Sequence, residues 1–378
     1  MRAAEPVTGV SVSAAGATDP TEWAEQLWEA VETGREAAAA AVVFGALTAG
    51  VDPEAVLLDV IATVQARIGH AWAADRMTVA QEHAATAVND RVVAALAHHP
   101  AVLDATPRTT RGRVTVSCVD GEWHAFPARL LSQVLTLRGW EVDHLGAQVP
   151  TPHLITWLHR TGPAAVALSA SLAPRLPAAH AAITAAQAAG FPVLAGGAAF
   201  GPGGRYARLL DADAWAGDAR GAADRLAEGL SAPAPVHQPV DDLPHLADQE
   251  YTLVRQSAQR LVRAVVSGLT ERSPVVRAYT ELQVQHTAED VAHLVDFLAA
   301  ALYVDDPDLF GGFLAWTADV LDARAVPAAS LVPTLDILRR ELRDLPRAVA
   351  QLDHGRDVLE RRPGPPPTVP HQHFRART

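Results

Sequence analysis

Lysine is absent from the chain, and all 31 basic residues are arginine. No Schiff base can form on a lysine amine, which excludes pyridoxal-phosphate enzymes and retinal photoreceptors, and the phosphate-binding lysine of a P-loop is missing as well. Cysteine is nearly absent. Cys118 stands alone, so a disulfide within the chain, a multi-cysteine zinc site and an iron–sulfur cluster are all excluded. Long apolar runs are lacking: none approaches the ~18–20 residues of a membrane span. The first residues also lack the basic-then-apolar layout of a signal peptide. A cytoplasmic location without a membrane partner is expected. Positive charge is in deficit too, and a net charge of −12 argues against direct nucleic-acid binding, because phosphate neutralisation needs a basic face.

What is present fits a multidomain globular protein. The 378 residues suffice for about two to three domains, and 49% hydrophobic with 20% charged residues is ordinary for such a chain. Residues 1–18 have little pattern and are expected to be disordered. Asp19-Pro20-Thr21-Glu22 then reads as a helix start, with Trp23, Leu27 and Val31 on one apolar face. Further helices are expected over 36–48, from Asp52-Pro53 to about Ala71, and from a capping box at Thr78–Gln81 to just before Pro100. Residues 19–105 thus read as a four-helix bundle.

From Arg113 the pattern changes. Apolar runs at Val114–Val119, Val142–Leu145, Ala165–Ser171, Val193–Ala195 and Ala214–Ala216 alternate with helix-length segments. This predicts βαβ units and a mainly parallel sheet over 110–230, an α/β domain of the flavodoxin-like, Rossmann type. Residues 231–245 are rich in Pro and Ala and read as a linker. Residues 246–360 read as all-helical, with starts at Ser273-Pro274, Thr287-Ala288-Glu289-Asp290 and Asp306-Pro307-Asp308. Residues 361–378 read as a tail.

In an open parallel sheet, ligands bind beyond the carboxyl ends of the strands. The loops expected there carry Asp120-Gly121-Glu122-Trp123-His124, then Ser169-Ala170-Ser171-Leu172, then Gly196-Gly197. Taken singly, a loop histidine is more often a surface residue and a glycine pair more often a turn. Their joint order is the signal. E-x-H, S-x-S-L and G-G resemble the cobalamin-binding domain of corrinoid proteins, whose pattern is D/E-x-H-x-x-G, S-x-L, G-G. The resemblance implies that His124 ligates cobalt from below, with Glu122 orienting it from behind. It also implies that Ser169 and Ser171 hydrogen-bond the cofactor's nucleotide tail, and that Gly196 and Gly197 make room for it. Pro127 stands where that family has glycine, and the serine motif is offset by one residue.

The helical bundle contains Trp72 and, after nine intervening residues, Glu82-His83. Read alone, these are a core tryptophan and a solvated helix start, both polar residues lying in the first turn. A helical bundle ahead of a cobalamin domain resembles the methyl-transfer corrinoid proteins. W-x(9)-E-H is similar to the motif of adenosylcobalamin-dependent photoreceptors, the CarH-like light sensors. That resemblance implies that Trp72 packs over the adenosyl group, that Glu82 contacts it, and that His83 becomes the upper cobalt ligand once light removes it. DNA-binding members carry a helix-turn-helix ahead of the bundle; here only the expected disordered lead-in precedes it, so no direct DNA output is expected.

In the C-terminal region Phe297, Tyr303, Phe310, Phe313 and Trp316 fall within twenty positions, and His286 and His293 lie two helical turns apart. The plain reading is an aromatic core. The functional reading is a pocket for a planar ligand between helices. A cobalamin sensor joined to an all-helical domain resembles the photocobilins, which implies a globin-like fold holding a bilin such as biliverdin, with His286, His293, Phe297, Phe313 and Trp316 as contacts and Arg339 or Arg340 as propionate partners. The expected function is a light sensor and not an enzyme, acting through a second copy of the chain or a downstream signalling protein. The alternatives are a corrinoid methyl carrier serving a methyltransferase and a cobalamin-dependent oligomerisation module.

Overall fold

The computed structural model describes residues 19–108, 111–231, 233 and 243–362. The expected lead-in over 1–18, ten of the fifteen residues of the expected linker and the tail from 363 onward lie outside the described residues. Two compact units emerge: one holds residues up to Trp72, Met77–Arg113 and Arg129–Val142, and the other holds Ala73–Arg76, Val114–Ala128 and the chain from Asp143 onward.

The first unit is helical. Its helices are α1 (Pro20–Glu32), α2 (Glu36–Thr48), α3 (Pro53–Ala55), α4 (Ala62–Ala73), α5 (Val79–Leu96) and the short α6 (Pro100–Ala105). A single π-helical stretch, Val56–Ile61, joins α3 to α4, so the expected third helix is one rod with a widened turn. The starts follow the local code. Asp19 accepts from the Thr21 N–H at 2.9 Å, and Thr78 and Gln81 cap each other reciprocally at the head of α5. Trp23, Leu27, Trp28 and Val31 of α1 are buried as that helix packs against α2, the π stretch and α5.

The α/β domain has five strands: β1 (Arg113–Cys118), β2 (Glu141–Gly146), β3 (Ala165–Ser169), β4 (Val193–Gly196) and β5 (Ala214–Ala216). Between them run α7 (Phe126–Leu137), α8 (Thr151–Thr161), α9 (Leu176–Ala188) and α10 (Arg205–Leu209), and α11 (Ala219–Glu228) follows the last strand. The strand order is β2-β1-β3-β4-β5, the flavodoxin-like order whose switch point lies between β1 and β3. Parallel register sets Cys118 beside Ser169 and Ser169 beside Gly196. The three ends that carry the sequence motifs therefore share one edge.

The C-terminal helices are α12 (Glu250–Arg272), α13 (Pro274–Arg277), α14 (Glu281–Val304), α15 (Pro307–Ala323), α16 (Val332–Glu341) and α17 (Pro346–Arg361). Their core joins Leu261, Val265, Leu298, Phe310, Leu314, Leu338 and Leu352. Asp306 caps α15 as expected. The expected start at Thr287 is corrected: Thr280 and Gln283 form the capping box of α14, and Thr287 lies inside that helix with its hydroxyl donating to the Gln283 carbonyl at 2.8 Å. Two cap-like sequences compete here, and the earlier one wins because it adds two turns of backbone hydrogen bonds. Buried Glu250 accepts from the N–H groups of Arg347 at 3.1 Å and Ala348 at 2.8 Å, capping the otherwise uncapped start of α17.

The C-terminal helices are seated on the α/β domain at the α14–α15 corner. Tyr303 and Val304 belong to the α/β core. The Tyr303 hydroxyl lies 2.8 Å from Nδ1 of buried His180 on α9, and Tyr206 donates to Asp306 at 2.9 Å. No helix among the described residues is long and apolar enough to cross a membrane.

Candidate functional site

At the strand edge, β1 continues through Val119, whose N–H donates to the Ser169 carbonyl at 3.1 Å. The chain then turns at Gly121 with φ +74°. That turn drives Glu122 inward until it is fully buried. One carboxylate oxygen, Oε1, accepts from the His124 N–H at 2.9 Å and from His124 Nδ1 at 2.6 Å. The other, Oε2, accepts from the N–H groups of Ser171 at 2.7 Å and Leu172 at 3.2 Å. Burial alone pushes the Glu122 carboxyl up, but the His124 ring and these N–H groups outweigh it and bring it down to about 2. With Nδ1 donating, the neutral His124 ring carries its lone pair on Nε2, and the side chain is 54% exposed. A half-exposed imidazole with a fixed tautomer is a ready metal ligand.

The glycine pair closes the same edge. Ala170 donates to the Gly196 carbonyl at 3.0 Å, and Ala199 donates to the Ala170 carbonyl at 3.1 Å. Gly197 has φ +106°, and a Cβ there would lie 2.2 Å from the Ala170 oxygen, so only glycine fits. A Cβ on Gly196 would meet nothing nearer than the Ala216 oxygen at 3.6 Å. The structure thus brings Glu122, His124, Ser169, Ser171, Gly196 and Gly197 together. Pro127 occupies the first turn of α7, where a missing N–H costs nothing. Sequence reasoning missed Arg175, whose guanidinium lies against Gly121, with Nη1 only 2.8 Å from where a Cβ would stand. No local spacing links those two positions. Trp123 is 69% exposed.

In the helical unit, Trp72 ends α4 half-buried, and Glu82 lies in the first turn of α5. His83 follows just beyond that turn, a small correction to the expectation that both share it. Its Nδ1 bonds Oε2 of Glu82, and its side chain is 75% exposed. The tautomer logic of His124 is repeated, with Nε2 as the acceptor nitrogen.

On α14, His286 and His293 are both exposed, with Asp290 between them. Asp290 is itself exposed at the surface, and partial desolvation by its neighbours raises its carboxyl against the pull of His293 and His286. Asp290 was overlooked, although the 286–290–293 spacing marks one helix face. Of the five clustered aromatics, the three expected as ligand contacts lie in one stack. Phe297 and Phe313 stack with centroids 3.7 Å apart and planes 5° apart, and Trp316 follows at 6.2 Å. Tyr303 instead belongs to the α/β core and Phe310 to the C-terminal core, because the corner at 303–306 carries them to different partners. A groove of about 390 Å³ lies between α12 and α14, lined by Ala258, Gln259, Val262, Arg263, Ala292 and Asp296, none of them a sequence-predicted contact. Arg339 pairs with Asp353 at 2.6 Å.

Among the described residues no group of three or more His, Cys, Asp or Glu is placed to hold a bare metal ion.

Residues 23–97 and residues 112–227 match two family models, each described as a B12 binding domain. Similar solved structures include the monomethylamine corrinoid protein of Methanosarcina barkeri, 19% identical over 56% of this chain and 99% of that one, with a TM-score of 0.46. A novel cobalamin-binding protein of Desulfitobacterium hafniense DCB-2 is 18% identical over 56% and 98%, with a TM-score of 0.31. The methanol:cobalamin methyltransferase complex of Methanosarcina barkeri is 16% identical over 55% and 78%, with a TM-score of 0.29. No curated protein matches the sequence. The two consecutive domain matches, on a helical segment and a five-stranded parallel α/β domain, mean that this chain carries a cobalamin-binding module.

Proposed function

We propose that the chain binds cobalamin with His124 as the lower axial ligand of cobalt, through Nε2. The observation that carries this is the 2.6 Å bond from His124 Nδ1 to Glu122, a carboxylate held in turn by the loop after β3. Ser169 and Ser171 hydrogen-bond the nucleotide tail and Gly196 leaves room for it, whereas the space a side chain on Gly197 would take is filled by the Ala170 carbonyl. The donor set fits, since a corrin supplies its own four equatorial nitrogens and needs one imidazole from the protein. His124→Ala tests the assignment. Its bound cobalamin should show a spectrum without lower imidazole ligation, or bind more weakly. An unchanged spectrum and affinity would exclude His124 as the ligand.

For the upper side the proposed form is adenosylcobalamin, with Trp72 packing over the adenosyl group and Glu82 contacting it. Bound adenosylcobalamin would supply a weak, coloured cobalt–carbon bond that visible light can break. His83, with Nδ1 held by Glu82, would be the residue that holds cobalt through Nε2 after illumination, and the change of ligand would be read as a conformational switch by a second copy of the chain or a downstream protein. On this reading the protein is a light sensor and not an enzyme. The second reading is a corrinoid methyl carrier serving a methyltransferase. The two separate cleanly: green light should change the spectrum of the adenosylcobalamin complex on the first reading, and a methyltransferase should methylate the reduced complex on the second.

For the C-terminal helices the proposed ligand is a linear tetrapyrrole such as biliverdin, in a globin-like arrangement. The stacked pair Phe297–Phe313 beside Trp316 and the His286–Asp290–His293 face support it, apolar planes for the pigment and polar groups for its pyrrole nitrogens.

A further inference from the structure

Inside the helical unit a row of side chains runs from α4 and α5 toward Glu82. Asn89 donates from Nδ2 to Oε1 of Gln65 at 2.9 Å. Gln65 donates from Nε2 to Oγ1 of Thr86 at 2.8 Å, and Thr86 donates to Oε1 of Glu82 at 3.0 Å. The carboxylate sets the direction of the whole row. It only accepts, so Thr86 must give it its single hydrogen. The Thr86 oxygen is then an acceptor, Gln65 must present its amide nitrogen, and its carbonyl is left for the Asn89 nitrogen.

That direction leaves one atom over. Asn89 is fully buried on the α5 face that also carries Ala85, Val88 and Val92, and its Oδ1 has no hydrogen-bond partner among the described residues. A buried carbonyl in that state is destabilising, and a leucine of similar shape avoids the cost. Packing therefore does not explain Asn89. A row of donors aimed at Glu82 does, because positions 82, 86 and 89 share one helix face and Gln65 completes the row from α4.

We propose that Gln65, Thr86 and Asn89 are positioning residues for the upper cobalt ligand. They hold Oε1 of Glu82, so that Oε2 keeps the Nδ1 hydrogen of His83 and the ring presents Nε2. This rests on the reading of His83 as that ligand.

The full-length protein loaded with hydroxocobalamin gives the test, because its upper position exchanges and azide competes with imidazole there. Thr86→Val keeps the shape and removes the donor, Thr86→Ser retains the hydroxyl, and Asn89→Leu removes the anchor. The azide concentration that displaces His83 should fall about tenfold in Thr86→Val and Asn89→Leu and stay at the wild-type value in Thr86→Ser. The melting temperature of cobalamin-free Asn89→Leu should change little, because the orphaned Oδ1 goes while the part-exposed Gln65 Oε1 loses its donor. A purely structural row would lower melting temperatures and leave the azide midpoint where it was, and that result overturns the proposal. His83→Ala separates the two levels. If it abolishes the bis-imidazole spectrum while Thr86→Val leaves the azide midpoint unchanged, the positioning role fails alone. If it leaves the spectrum unchanged, the reading of His83 fails and the row's role falls with it. Should Asn89→Leu not fold, Thr86→Val against Thr86→Ser decides.

Discussion

Glu122 and His124 are two residues apart, and their side chains meet at 2.6 Å while the carboxylate's other oxygen grips the backbone of Ser171 and Leu172. One buried carboxylate therefore sets a histidine tautomer and ties two loops together. Its carboxyl lies at about 2, below its ordinary 4.5. A depressed carboxyl stabilises the fold above its unfolded value and loses that contribution as pH falls. In cobalamin-free protein, Glu122→Gln should cost roughly 2–3 kcal/mol near neutral pH, since an amide NH₂ must face either the Ser171 and Leu172 N–H groups or those of His124. The difference in urea midpoint between wild type and variant should shrink between about pH 4.5 and 2. A pH-independent difference would show that the charge is not what holds the loops.

The glycine pair should divide in its response to alanine. Gly197→Ala puts a methyl 2.2 Å from the Ala170 oxygen at φ +106° and should destabilise the α/β domain by roughly 2–4 kcal/mol. Gly196→Ala meets only the Ala216 oxygen at 3.6 Å and should change stability by less than ~1 kcal/mol. If the nucleotide tail passes here, Gly196→Ala will fold normally yet bind cobalamin more weakly. Unimpaired binding would place the tail elsewhere.

Cys118 offers an internal reporter. It is fully buried, and burial, helped by the Glu122 charge, pushes its thiol up to about 12. Thiolate is the reactive form, so a maleimide should label native protein at least ~100-fold more slowly than urea-unfolded protein at pH 7. Fast labelling under native conditions would mean that the β1 edge opens readily.

Pigment binding at the C-terminal helices should be non-covalent. The single thiol, Cys118, lies in β1 of the α/β domain, and no lysine exists. The protein incubated with biliverdin should gain a red-shifted band that acid denaturation releases from the polypeptide, and Phe297→Ala should weaken it. Absence of any native complex would make the Phe297–Phe313 stack a packing feature only.

Local spacing in the sequence determined a great deal. The caps at Asp19, Thr78 and Asp306, the five strands and the order of E-x-H, S-x-S-L and G-G were all readable, because each depends on residues within a few positions of one another. Thr287 misled for the same reason: Thr280 and Thr287 both look like helix starts locally, and only the hydrogen bonds of the finished α14 choose between them. Tertiary structure decided the rest. The parallel register of β1, β3 and β4 set Cys118, Ser169 and Gly196 side by side, and that gave Glu122 its partners at Ser171 and Leu172. Packing sent Tyr303 to His180, laid Arg175 on Gly121 and aligned Gln65 with Thr86 and Asn89. Such contacts join positions that are remote along the chain, and a short-range pattern carries no information about which distant surface a side chain will meet once apolar faces are buried.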